Sequence, residues 1–214
     1  MEKGIIITLP HHDDTTEYLS QWSFEIIEKA DEKSIKVKKL EGEEANKETF
    51  EKVVKKLDYN MLIFNGHGSD KLIYGHNNNI IIEEGINENL LKDRIVYARS
   101  CESASSLGDK STKSAEGCFI GYDQPFMFYV DSNWISNPKK DKVAELFLSS
   151  SNQISISILK GNSCQEAHDN GKKSIIKSIK KVLRGKTPDS YRIAEALLNN
   201  YLGQVLLGNK ESRL

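Results

Sequence analysis

Apolar and polar positions along this chain follow two periods, and the switches between them divide it into short strands and amphipathic helices. The β-branched run GIIITLP (residues 4–10) reads as a central strand stopped by a proline. Polar HHDDTT follows. Tyr18, Trp22, Ile26, Ile27 and Ala30 then recur at helical spacing, predicting a helix over residues 17–30 with capping candidates among residues 13–16. SIKVKKL (34–40) alternates apolar side chains with lysine, as a strand at or near a sheet edge does. Phe50, Val53, Val54 and Leu57 mark one face of a second helix over 48–57. MLIF (61–64) is a buried strand that runs into Asn65, Gly66, His67 and Gly68.

Two apolar runs in LIYGHNNNIIIEEG flank a turn over residues 75–79, which predicts a hairpin beside the end of that strand. A short helix near 87–92 precedes a strand at 95–99, after which SCES (100–103) turns the chain into another helix. The Gly- and Ser-rich stretch 108–117 reads as a loop and CFIGY (118–122) as a strand. QPFMFYVDSNWISNPKKDK is irregular, with the character of a functional loop. Residues 143–147, 164–183 and 190–207 show helical periodicity, broken at 185–188. Repeated strand-helix order predicts an α/β sandwich with a mainly parallel sheet.

The 214 residues suit one domain spanning 1–214. Thirty Lys plus Arg against 31 Asp plus Glu leave a formal net charge of -1, so nothing electrostatic favours nucleic acid or an anionic membrane; the expected partner is a protein, a peptide or a small molecule. The three cysteines, Cys101, Cys118 and Cys164, are widely spaced without a CxxC pair, which argues against a disulfide framework or structural zinc and for a reducing cytoplasm. No apolar run has the length of a membrane span.

Chemistry concentrates at two strand ends. In an open parallel sheet the carboxyl ends of neighbouring strands emerge side by side, so His67 after one strand and Cys101 after the other can meet across a crevice. That pairing is the wiring of a thiol nucleophile with its acid/base partner. The helix after Cys101 is expected to favour the thiolate and lower its pKa. Small polar neighbours (Ser100, Glu102, Ser103, Ser105) suit an accessible turn, whereas Cys118 inside an apolar strand reads as an inert core residue. The N–H groups of Gly68 and Cys101 are the candidate oxyanion donors. His11 and His12 follow the first strand and border the same crevice, although adjacent loop histidines are commonly plain polar surface. His76 falls in the hairpin turn. Cys164 and His168 have helical i, i+4 spacing, but two ligands make no site, so no metal and no cofactor is expected. No phosphate loop, GxSxG or GxGxxG is present, and the lysines of 172–181 read as the solvated face of a helix.

An apolar run ending in GHG, another ending in SCES and the later strand CFIGY together resemble the caspase-hemoglobinase clan of cysteine peptidases, in particular its bacterial CHAT-type, caspase-like members. ARSCESASSLG is similar to the nucleophile segment, GCFIGYDQPFMFY to the following strand and substrate loop, and LKGNSCQEAHDNGKK to the helix opening after it. The resemblance covers most of the chain. It implies a three-layer, caspase-like fold with a six-stranded sheet, a Cys101–His67 dyad with no required third member, endopeptidase action on a protein substrate, and an effector role in bacterial defence. Arg99, two before the nucleophile, falls where relatives line the P1 pocket and could pair with an acidic side chain. Asp13, Asp14, Asp123 and Asp131 lie in loops that could instead favour Lys or Arg at P1, the preference expected here. Lysines in 108–117 and 131–141 offer self-cleavage sites, and a regulatory protein partner is the other route to control. Two further classes share parts of the pattern: a catalytically silent caspase-like peptide-binding module, and a flavodoxin-like signalling domain, which leaves the GHG and SCES ends without a purpose.

Overall fold

The computed structural model describes residues 1–113, 116–186 and 188–214. Strands β1 (Glu2–Leu9), β2 (Lys36–Glu41), β3 (Tyr59–Asn65), β4 (Leu72–Tyr74), β5 (Ile80–Glu83), β6 (Ile95–Arg99), β7 (Cys118–Tyr122) and β8 (Gln204–Gly208) interleave with helices α1 (Asp14–Glu32), α2 (Lys47–Leu57), α3 (Ser106–Thr112), α4 (Lys142–Leu159), α5 (Cys164–Gly185) and α6 (Ser190–Gly203). Six strands form one sheet in the order β2-β1-β3-β6-β7-β8, parallel throughout except for β8, while β4 and β5 make the antiparallel hairpin beside it.

Side-chain alternation along the central strands builds the layers. Ile5, Ile7, Leu9, Met61, Ile63, Tyr97 and Ile120 pack on one face against Ile26, Ile27 and Ala30 of α1 and Ile154 and Ile158 of α4. Ile6, Leu62, Phe64, Val96, Ala98 and Phe119 pack on the other against Phe50 and Val54 of α2, Leu107 of α3 and the hairpin. With both faces covered, the strands read as continuous apolar runs, and the result is a three-layer α/β/α sandwich. Helix α6 lies outside α4 and α5, its Ile193, Ala194 and Leu197 closing a cluster with Tyr18 and Trp22 of α1 and Phe147 of α4. No helix among the described residues is long and apolar enough to cross a membrane.

Three expectations need correction. The helix expected over 190–207 ends at Gly203, and 204–208 forms β8, antiparallel to β7. QVLLG is too short for periodicity to separate a buried strand from a helix end. The loop expected over 108–117 is helical as far as Thr112, because Gly108 sits where a Cβ would meet Leu207 and Phe119 at 3.1 and 3.2 Å, so this glycine permits close helix-sheet packing; residues 114 and 115 lie outside the described residues. Finally, Cys118 on β7 is bonded to Cys164 at the start of α5, a buried pairing that the wide sequence spacing does not suggest.

Candidate active site

Because β1, β3 and β6 are parallel neighbours, their carboxyl ends emerge together at one edge of the sheet. A buried polar chain ties these ends to one another. Asn65 N–H donates to Thr8 Oγ1 (3.0 Å), Asn65 Nδ2 donates to the Thr8 carbonyl (2.6 Å), and Arg99 Nε donates to Asn65 Oδ1 (2.8 Å). Register pairs Asn65 with Arg99, which puts His67 and Cys101 each two residues past a matched position. The loops then touch: a Cβ added to Gly68 would fall 2.7 Å from Ser100 Cβ and 3.0 Å from the Cys101 carbonyl oxygen. Only glycine admits that approach.

The third member of the site comes from the loop between β1 and α1. Asp13 is the N-cap of α1, its Oδ1 accepting from the Thr16 N–H (2.7 Å) and hydroxyl (2.8 Å) in a capping box. The other oxygen, Oδ2, lies 2.7 Å from His67 Nε2. Partial burial pushes the Asp13 carboxyl up, but the His67 and Thr16 hydrogen bonds outweigh it and hold the group at about 2. Asp13 is therefore a carboxylate throughout the neutral range. It can only accept from Nε2–H, which places the proton on Nε2 and leaves the Nδ1 lone pair as the base. If His67 serves as a catalytic base, an Asp13→Asn variant is expected to lose roughly 10²-fold or more in turnover, because the amide can hold the opposite tautomer; steady-state rates from pH 5 to 8 test this. The sign on stability is fixed too: the contact is present above the ordinary carboxylate range and lost as pH falls through about 2.

Cys101 is the free cysteine of the described residues, half-buried in the turn between β6 and α3. Glu102 beside it takes a left-handed backbone (φ 56°) and its N–H donates to the Gln124 carbonyl at 3.2 Å. The expected lowering of the thiol pKa is not found: burial pushes it up, the Glu102 carboxylate adds to that, and contacts with the Phe126 and Cys101 backbone offset only part. Helix α3 begins five residues later, too far for its dipole, which fades beyond the first turn. Among the described residues the thiol and the His67 ring share no hydrogen bond, the imidazole being engaged by Asp13. Alkylation of Cys101 by iodoacetamide should accordingly rise about tenfold per pH unit between pH 7 and 9. A plateau below pH 7 would instead reveal a preformed thiolate. The Gly68 N–H takes no part in the ladder around it, where the His67 carbonyl accepts from Tyr74 and the Ser69 N–H donates to Leu72, and so stays available as an oxyanion donor.

Beside the thiol, Phe126, Met127, Phe128 and Val130 join Asp14 and Thr15 around a shallow cleft of about 260 Å³. Asn200 holds that segment by its backbone, accepting from the Met127 N–H (2.8 Å) and donating to the Met127 carbonyl (2.6 Å). Other residues expected at a substrate pocket lie elsewhere or serve other ends. Arg99 is fully buried, its guanidinium donating to Asn65, Ser151, Asn152, Ser23 and the Leu19 carbonyl, so it meets no substrate and instead braces the strand ends. Asp131 caps a 3-10 turn, accepting from Asn133, and Asp123 is exposed against Gly203 and Ser105. Asp13 faces His67, and only Asp14 of the four aspartates lines the cleft. Sequence reasoning missed the role of Asp13, although HHDD follows directly on the strand that proves to neighbour the one ending at His67. Hydrogen bonding, not spacing, selects it.

No protein-family model matches this sequence, and no curated protein matches it either.

Proposed function

We propose that this protein is a cysteine endopeptidase of the caspase-like kind. Cys101 Sγ attacks the scissile carbonyl as His67 Nδ1 takes the thiol proton. The oxyanion is held by the Gly68 and Cys101 N–H groups, and His67 then protonates the leaving amine. Water activated by the same imidazole hydrolyses the thioester and restores the thiol. The observation that carries the reading is the hydrogen bond from His67 to the helix-capping carboxylate of Asp13, one strand away from a free cysteine at the matching position. A silent binding module has no use for a base held in one tautomer.

Substrate recognition falls to the cleft formed by residues 126–130, where Asp14 supplies the charge for a Lys or Arg at P1 and the aromatic rings supply apolar contact. A role in bacterial defence, under a regulatory protein or self-cleavage, belongs to the same proposal, whereas the Cys118–Cys164 bond removes the argument from the cysteines for a reducing cytoplasm. The test is a peptide library incubated with wild type and with Cys101→Ala, cut positions being read by mass spectrometry. Cuts after Lys or Arg made by wild type alone are the expected result. Identical profiles from the two proteins overturn the peptidase reading.

A further inference from the structure

The proposed catalytic base sits inside a cluster of histidines that the peptidase reaction does not require. Four of the five histidines gather here: His11 and His76 ring centroids are 5.0 Å apart, His12 and His76 5.4 Å, and His12 and His67 6.1 Å. Within the cluster, one ligand atom each from His12, Asp13 and His67 lies within 4.8 Å of the other two. His12 is the informative member. Its side chain is only 10% exposed, and its Nε2 is buried without a hydrogen-bond partner, 3.6 Å from Asp13 Oδ2. A buried imidazole nitrogen left without a partner is costly, and natural structures seldom keep one without a reason. Here it points at the same carboxylate oxygen that His67 engages at 2.7 Å.

We propose that His12 Nε2, Asp13 Oδ2 and His67 Nε2 form a zinc-binding site that switches the peptidase off. The inference rests on the peptidase reading for its consequence, though not for the binding itself. Two neutral imidazoles and one carboxylate are a donor set that suits Zn²⁺, with the fourth tetrahedral position left for water. Tetrahedral zinc with bonds of about 2.0–2.1 Å spaces its ligand atoms by roughly 3.3 Å, so the 2.7 Å contact must open and the 3.6 Å contact close by roughly half an ångström or less, while the His12–His67 pair, within 4.8 Å, has to draw together by side-chain rotation. Outer contacts are in place as well. Thr16 Oγ1 lies 3.5 Å from His12 Nδ1 and donates to Asp13 Oδ1 at 2.8 Å, so one hydroxyl orients two of the three ligands.

The inhibitory effect follows from where the proton goes. In the free site Nε2 of His67 carries the hydrogen and Nδ1 the lone pair. Zinc takes the Nε2 lone pair, so the ring proton moves through solvent to Nδ1, with no net proton released and no redox change. The nitrogen assigned as the base in the proposed reaction then has a hydrogen where it needs a lone pair, and Cys101 loses its base.

The experiment uses the full chain, freed of metal and titrated with Co²⁺ and then Zn²⁺. Visible d–d absorption and calorimetry read binding, while peptide cleavage and Cys101 alkylation read the consequence. Expected are one ion per chain, tetrahedral cobalt absorption displaced by zinc, and cleavage that falls at least tenfold as the site fills. His12→Ala should weaken binding tenfold or more while keeping cleavage and becoming insensitive to zinc. Cys101→Ala should bind the ion normally. Absence of binding, binding indifferent to His12→Ala, or binding abolished by Cys101→Ala each overturns the site. Binding with cleavage and alkylation both unchanged overturns the switch. A protein that binds the ion through His12 yet never cleaves a peptide keeps the site, and the peptidase reading alone fails.

Discussion

Cys101→Ala should abolish peptide cleavage, with turnover falling by 10³-fold or more, while the thermal midpoint stays where it was. The second half follows from position: the side chain is half-buried in a turn and supports no core cluster, so its loss leaves no large cavity. The first half follows from chemistry, because an alanine can form no acyl intermediate and the oxyanion donors alone leave only residual rate. His67→Ala should match it in cleavage. The double variant should be no worse than either single one, since nucleophile and base act as a unit. Additive losses would show that Cys101 and His67 do not work together. Continued cleavage in Cys101→Ala would move the chemistry to another residue.

Arg99→Ala carries the largest expected cost in stability, on the order of 3–5 kcal/mol, or a midpoint lowered by roughly 10 °C in circular-dichroism melts. The side chain is the largest one fully buried, and its donors reach acceptors on α1, β3 and α4 at once. All five partners are neutral, and burial pulls the guanidinium pKa down, so the charge is tolerated through saturated hydrogen bonding and not through an ion pair. Truncation leaves a cavity together with the unsatisfied oxygens of Asn65 and Asn152. Arg99→Lys should also be destabilised, because three donors at one point cannot span the positions that the planar fork reaches. A shift below 1 °C in both variants would refute this bracing role. Activity should fall as well, since the Thr8–Asn65–Arg99 chain sets the spacing of the strands that carry Asp13, His67 and Cys101.

Much of this was legible without coordinates. Strands β6 and β7 match their sequence reading to the residue, since continuous apolar runs bounded by polar turns leave little choice. The hairpin also lies where the turn-forming residues put it, with Tyr74 N–H donating to the His67 carbonyl beside the crevice. His67 and Cys101 stand out as candidates because each follows such a run. Arg99 was misread because a charged residue beside a nucleophile suggests a substrate contact, and strand alternation alone does not reveal that Ser23, Ser151 and Asn152 converge on it from two helices. Strand β8 and the Cys118–Cys164 bond depend on contacts between distant segments, for which local periodicity holds no signal.

One carboxylate, on Asp13, decides both where α1 begins and which face of an imidazole bears hydrogen. Fraying of that helix by a single turn thus releases the acceptor that holds the His67 ring, and, under the peptidase proposal, a partner that presses on the first turn of α1 gains a handle on reactivity without entering the cleft.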